Sequence, residues 1–172
     1  MKGNKQSNSA FIDGQNLYLG TRTTGWSIDY KKFRVYLKDK FNVTEAYYYM
    51  GCIKETEQEL YTNLQLAGFV LNFKEHTELM KGKKKGNIDS DLIFDVMKEI
   101  VENTLNGKVV LVSGDGDYKK MVSYLIKKNK FQHILFPNNH FRSSLYNNIG
   151  TDNFSSLDER GVRNKIEYIP SP

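Results

Sequence analysis

Aspartates stand at the places in this chain where chemistry is most easily read. Asp13 falls in Phe11-Ile12-Asp13-Gly14-Gln15-Asn16, Asp89 and Asp91 in Asn87-Ile88-Asp89-Ser90-Asp91, and Asp115 and Asp117 in Ser113-Gly114-Asp115-Gly116-Asp117. None of the three stretches contains a His or a Cys. Taken one at a time, these residues have ordinary structural explanations. Asp-Gly is a common turn pair, and helix N-termini favour Asp as a cap and in the first turn. Gathered in one crevice they would repel, at a cost on the order of 1 kcal/mol per pair at 4 Å in water and roughly 4 near a protein surface. Raised pKa values would offset that repulsion, and a divalent cation does so more directly. A donor set of carboxylates alone selects hard ions, Mg2+ or Mn2+. Such a centre suits phosphoryl transfer, in which the ion polarises the phosphate and activates water.

The elements that must bring these residues together alternate along the chain. Strands are expected at Ser9–Asp13, Glu45–Gly51, Phe69–Phe73, Lys108–Ser113 and His133–Phe136, all short and rich in Val, Ile, Tyr and Phe. The run Val109-Val110-Leu111-Val112 suits a strand buried on both faces of a parallel sheet. Helical spacing runs through Ser27–Phe41, Glu55–Ala67, Asp89–Leu105 and Asp117–Lys128, and Gly68 supplies a C-terminal cap for the second of these. Strands alternating with helices of 10–15 residues imply right-handed βαβ units and a three-layer α/β domain. Ligands of such sheets sit beyond the carboxyl ends of the strands. The first and fourth expected strands end on Asp13 and on Ser113-Gly114-Asp115-Gly116-Asp117, so a sheet that sets them side by side joins their acids in one crevice.

Composition removes several alternatives. The 172 residues, 39% hydrophobic, are enough for one domain with a core and too apolar for a disordered chain. The lone Cys52 excludes a disulfide framework and points to a reducing, cytoplasmic setting; it reads as a core residue. No apolar run approaches the roughly 20 residues of a membrane span. There is no GxxxxGK[ST] loop, no GxGxxG after the first strand and no GxSxG elbow, which argues against ATP, dinucleotide and serine-hydrolase chemistry. His76, His133 and His140 are scattered, and Trp26 and Tyr47-Tyr48-Tyr49 read as core and sheet face. The net charge of +5 is concentrated in part at Lys81, Lys83, Lys84 and Lys85, directly before Asp89. Such a run reads either as a solvated loop or as a contact for a polyanion. Beside an acidic metal site, a phosphodiester polymer fits better than a small metabolite.

These segments resemble a known family. Phe11-Ile12-Asp13-Gly14-Gln15-Asn16, Lys85-Gly86-Asn87-Ile88-Asp89-Ser90-Asp91-Leu92 and Val112-Ser113-Gly114-Asp115-Gly116-Asp117-Tyr118 are similar to the three motifs of NYN domains, the PIN-like ribonucleases of the LabA group. The likeness runs from about Ser9 to Glu159, with Arg142-Ser143-Ser144-Leu145 and Phe154–Glu159 resembling the group's C-terminal part. Gln15 departs from it, standing where the family often has Asn. The resemblance implies a PIN-like Rossmannoid sheet of order 3-2-1-4-5, mainly parallel, and an Mg2+/Mn2+-dependent ribonuclease site. The chain itself, ragged only in its first eight residues and after about Ile166, reads as one domain over residues 9–166 between a flexible N-terminus (1–8) and a flexible tail (167–172). Asp13, Asp89, Asp115 and Asp117 would be the catalytic, metal-binding acids. Asn16 would hydrogen-bond the water on the metal or the neighbouring acid, and Ser113 would support the loop. Asp91 is the alternative to Asp89, since residues two apart on a helix point about 200° apart and only one of the pair can face the crevice. Lys81, Lys83, Lys84, Lys85 and Arg142 would hold the RNA backbone. The expected activity is therefore endonucleolytic cleavage of RNA, with RNA as the partner, no membrane, and a homodimer as an arrangement that would widen the groove. A non-catalytic RNA-binding or regulatory module that keeps the acids is the competing reading. A phosphatase with Asp13 as nucleophile is weaker, because Gln15 occupies the position of the usual partner acid.

Overall fold

The computed structural model describes residues 7–74 and 88–170. Six strands, β1 (Asn8–Asp13), β2 (Val43–Met50), β3 (Val70–Phe73), β4 (Val109–Val112), β5 (Phe131–Phe136) and β6 (Phe154–Ser156), form one sheet in the order β3-β2-β1-β4-β5-β6. Every neighbouring pair is parallel. The expected order of five strands is present, extended by β6 at one edge.

Among the described residues, six α-helices cover the sheet: α1 (Gly14–Thr23), α2 (Tyr30–Phe41), α3 (Gln58–Ala67), α4 (Ile88–Val101), α5 (Lys119–Lys127) and α6 (Arg160–Ile166). Side chains of a strand alternate between faces, and the two cores follow that alternation. Ala10 and Ile12 of β1 and Val110 and Val112 of β4 pack with Leu17, Phe33, Leu37, Leu64 and Ile166 from α1, α2, α3 and α6. Phe11, Val109 and Leu111 turn the other way, onto Leu92 and Val96 of α4 and Met121, Val122 and Leu125 of α5. All residues of β1 and β4 are buried, as strands covered on both faces must be. None of the described helices is long and apolar enough to cross a membrane.

Helix ends depart from the expected ranges for local reasons. α2 begins at Tyr30 rather than near Ser27, because Asp29 is its cap, accepting from the Lys32 backbone N–H at 3.1 Å, and Ile28 is drawn into a bridge with Glu167. α4 stops at Val101 rather than Leu105: Asn103 takes a left-handed φ of 56°, which turns Leu105 into the core. Three elements, α1, β6 and α6, were not expected. Cys52 lies past the end of β2 in a bend and is half-buried, not a core residue. Beyond α6, the Tyr168 N–H donates to the Ser27 carbonyl at 2.9 Å.

Connections leave β1 toward β2 on one side and return to β4 on the other. The crevice between the carboxyl ends of β1 and β4 is thus the topological switch point, where open parallel sheets bind ligands.

Candidate metal centre

Asp13 is the last residue of β1 and caps α1, so one side chain joins a strand end to a helix start. Its Oδ1 accepts from the Asn16 backbone N–H at 2.9 Å. Its Oδ2 accepts from the Tyr118 hydroxyl at 3.1 Å and, more loosely, from Ser113 Oγ at 3.4 Å. Burial pushes the Asp13 carboxyl above its ordinary value; the Asn16 hydrogen bond opposes this, and the charge of Asp89 adds to it.

The loop after β4 is built as tightly. Ser113 Oγ accepts from the Asp115 N–H at 3.1 Å, Asp115 Oδ1 accepts from the Asp117 N–H at 3.0 Å, and the Asn16 side-chain oxygen accepts from the Gly114 N–H at 2.8 Å. Tyr146, fully buried, donates its hydroxyl to the Asp115 carbonyl. Gly114 is required by close approach, since a Cβ there would fall 1.8 Å from the Phe141 carbonyl oxygen. The Ser143 N–H then donates to the Gly114 carbonyl at 2.9 Å, so the segment after β5 braces the loop from outside.

Asp89 enters from the first turn of α4, buried, with Oδ1 accepting from the Tyr118 hydroxyl at 2.7 Å. One carboxylate oxygen each from Asp89, Asp115 and Asp117 lie within 4.8 Å of one another. Exposure rises across the trio, from buried Asp89 through half-buried Asp115 to exposed Asp117, so the cluster opens to solvent on one side. Among the described residues, no Lys, Arg or His lies at salt-bridge distance from Asp13, Asp115 or Asp117. Burial raises the Tyr118 phenol far above its usual value, and the charges of Asp13 and Asp89 add to the effect. Tyr146 is raised too, by burial and then by the fields of Asp115, Asp117 and Asp89. The donor set is oxygen only, which fits a hard divalent cation.

The remaining expected site residues fall as follows. Asp91 is exposed on α4, and Asp89 is the member of the pair that faces the crevice. Asn16 holds Asp13 through its backbone N–H, while its side chain is committed to Gly114 rather than to an acid. Ser113 supports the loop as described. Arg142 is half-buried with its guanidinium over the Phe154 ring, 5.0 Å from the centroid. Lys81, Lys83, Lys84 and Lys85 lie outside the described residues. Asp95, on the same helix as Asp89, accepts instead from the Tyr49 hydroxyl at 2.9 Å. His133 is far from this chemistry: burial lowers it to about 4, and its Nε2 pairs with Ser155 Oγ at 2.9 Å. Sequence reasoning missed Tyr118 and Tyr146. The only signal was a hydroxyl-bearing aromatic placed directly after Asp117.

A crevice of carboxylates at the switch point of a parallel three-layer sheet defines a class of domain, and comparison with known proteins names it. The NYN domain family matches residues 9–157, and the chain belongs to that family. It is similar to the low amplitude and bright protein LabA of Synechococcus elongatus, with 23% identity over 171 residues, covering 94% of this chain and 88% of that one. Its fold is similar to the crystal structure of a protein of unknown function from Vibrio parahaemolyticus, at a TM-score of 0.76 and 22% identity, covering 98% of this chain and all of the other.

Proposed function

We propose that this protein is a metal-dependent endoribonuclease that hydrolyses RNA phosphodiester bonds. The observation that carries the reading is the convergence of Asp89, Asp115 and Asp117 oxygens within 4.8 Å at the switch-point crevice. Membership of a PIN-like family of nucleases supports it. The trio would hold Mg2+ or Mn2+, which when bound supplies charge neutralisation and Lewis-acid activation of water and phosphate.

The protein's own contribution is positional. Asp89 is fixed by burial and by Tyr118, while Asp115 is fixed by Ser113 and by its hydrogen bond from Asp117. Asp117 faces the solvent, where a polymer strand can approach without entering a closed pocket. Asp13 sits beside the trio with both oxygens engaged, and adds negative charge that strengthens the hold on a cation. Lys81, Lys83, Lys84, Lys85 and Arg142 are proposed to carry the RNA backbone.

The test is cleavage of a labelled single-stranded RNA with Mg2+, Mn2+ or EDTA. Wild type is compared with Asp115→Asn and Asp117→Asn purified identically. Metal-dependent products from wild type, falling by at least 100-fold in Asp115→Asn, are expected, as for loss of a metal ligand. Cuts of equal rate in all three proteins would come from a contaminating nuclease and sink the reading. RNA binding with no cuts under either metal would replace it with a non-catalytic RNA-binding module.

A further inference from the structure

Both ends of α1 are tied to the carboxyl end of the sheet. The helix starts from Asp13, the last residue of β1. Toward its other end, the side-chain amide of Asn138, just beyond β5, donates to the Gly20 carbonyl and, at 3.4 Å, to Thr23 Oγ1. Leu17, Gly20 and Thr21 are buried, whereas Gln15, Tyr18, Leu19 and Arg22 are exposed. At about 100° per residue these four share one face, so a stripe of side chains leads outward from the crevice that Asp13 borders. Tyr18 comes about 7.5 Å further along the helix than Asp13, at a rise of about 1.5 Å per residue. Its ring is 53% exposed, and the Arg22 guanidinium lies 5.6 Å from the ring centroid.

The same kind of pair occurs on α5, where Tyr124 is 40% exposed and Lys128 Nζ lies 5.6 Å from its ring centroid. That pair closes α5 at the amino end of the sheet, immediately before β5 begins at Phe131. Position therefore separates the two: only Tyr18 stands at the end where the acids converge. An exposed ring with a guanidinium beside it matches an unpaired nucleotide, since the ring stacks on the base and the cation takes a phosphate. Bases of a duplex are stacked and paired already and offer no free face. We propose that Tyr18 and Arg22 form a base-stacking subsite at the edge of the crevice, which selects single-stranded over duplex RNA. The proposal rests on the RNA reading of the crevice and adds to it a substrate class.

The experiment is RNA binding to the full chain by fluorescence anisotropy, in the Asp115→Asn background to prevent cleavage. One labelled oligonucleotide is used as a single strand and annealed to its complement. Tyr18→Ala is expected to bind the single strand about tenfold more weakly and the duplex unchanged. Tyr18→Phe keeps the ring and should keep the single-strand affinity, and Tyr124→Ala should bind as the background does. Arg22→Ala should flatten the single-strand salt dependence by about 0.7 in log–log slope, as for one lost phosphate contact. In Tyr18→Trp, the added indole emission should be quenched by the single strand and not by the duplex; buried Trp26 is common to every protein and subtracts out. That signal reports stacking directly, so it decides if Tyr18→Ala does not fold. Unchanged single-strand affinity in Tyr18→Ala overturns the proposal, as does an equal loss for the duplex or an equal loss in Tyr124→Ala. Selective weakening in Tyr18→Ala, alongside a metal-loaded wild type that cuts no RNA, would uphold the subsite and remove the nuclease reading. Metal-dependent cleavage by wild type, with single-strand binding indifferent to Tyr18, would remove the subsite and leave the nuclease reading standing.

Discussion

Asp13 is held in the folded chain at the expense of stability. Burial and the neighbouring Asp89 raise its pKa above the unfolded value of 3.8, so its ionised form is disfavoured in the native state. The sign follows from linkage. A carboxyl whose folded pKa is raised contributes stability below the unfolded pKa, and that contribution is lost as pH climbs through the folded pKa. Asparagine fits the same hydrogen bonds. Its oxygen can accept from the Asn16 N–H, and its amide can donate to the Tyr118 oxygen while Tyr118 donates to Asp89. Metal-free Asp13→Asn is therefore expected to gain on the order of 1 kcal/mol at pH 7 by losing one like-charge contact. For a chain of this length that is a rise of about 2–4 °C in Tm. Melting curves in EDTA should show the gain shrink as pH falls through the raised folded pKa and vanish below the unfolded value of 3.8, where the carboxyl is protonated in both states. A mutant that melts lower than wild type at pH 7 would show that the Asp13 charge is compensated within the fold.

At the scale of elements, the loop after β4 depends on close approach. A methyl group at Gly114 meets backbone, the Phe141 carbonyl, which cannot rotate away. Gly114→Ala should cost about 1–3 kcal/mol as overpacking, and it should weaken Mn2+ binding because Asp115 moves with the loop. Gly161 in α6 is the control: an added Cβ there meets nothing within 4 Å. Gly161→Ala should be neutral or stabilising by up to about 1 kcal/mol. Urea midpoints for both variants decide, and equal midpoints would mean that the Phe141 segment yields freely. The same packing explains what could be read from the sequence. β1 to β5 and α2 to α5 declare themselves by apolar runs and stripes, because burial on a sheet face requires them. α1 does not, since Gly14 and Gly20 interrupt its pattern; Gly20 is there because Pro137 leaves no room for a Cβ, which would fall 2.3 Å away. β6 is only Phe-Ser-Ser, and it is a strand because Phe154 to Ser156 pair with Ile134 to Phe136. Asp13, Asp89, Asp115 and Asp117 could be singled out in the sequence because they fall where strands end or helices open. The role of Tyr118 could not be, because its hydroxyl meets residues 29 and 105 positions away, and no local spacing encodes such contacts.

The whole molecule sets an acidic crevice within a chain whose net charge is +5, so everything outside the crevice is more positive still. Under the proposed function, that separation suits a polyanion drawn in by the body of the protein toward the acids. It also makes RNA affinity a function of salt, because each lysine or arginine that neutralises a phosphate releases a counterion. For a single strand, log affinity falls against log salt with a slope of about 0.7 per phosphate contacted. With Asp115→Asn used to prevent cleavage, binding of a labelled single-stranded RNA is expected to weaken at least about tenfold between 50 and 200 mM salt, as roughly three such contacts require. Replacing Lys81, Lys83, Lys84 and Lys85 by Ala in that background tests where the contacts lie. The slope should flatten by about 0.7 for each lysine that touches a phosphate. An unchanged slope would assign the run to a solvated loop and move the RNA path to other basic side chains. A slope near zero in both proteins would mean that binding does not run through phosphates, and would count against RNA as the substrate.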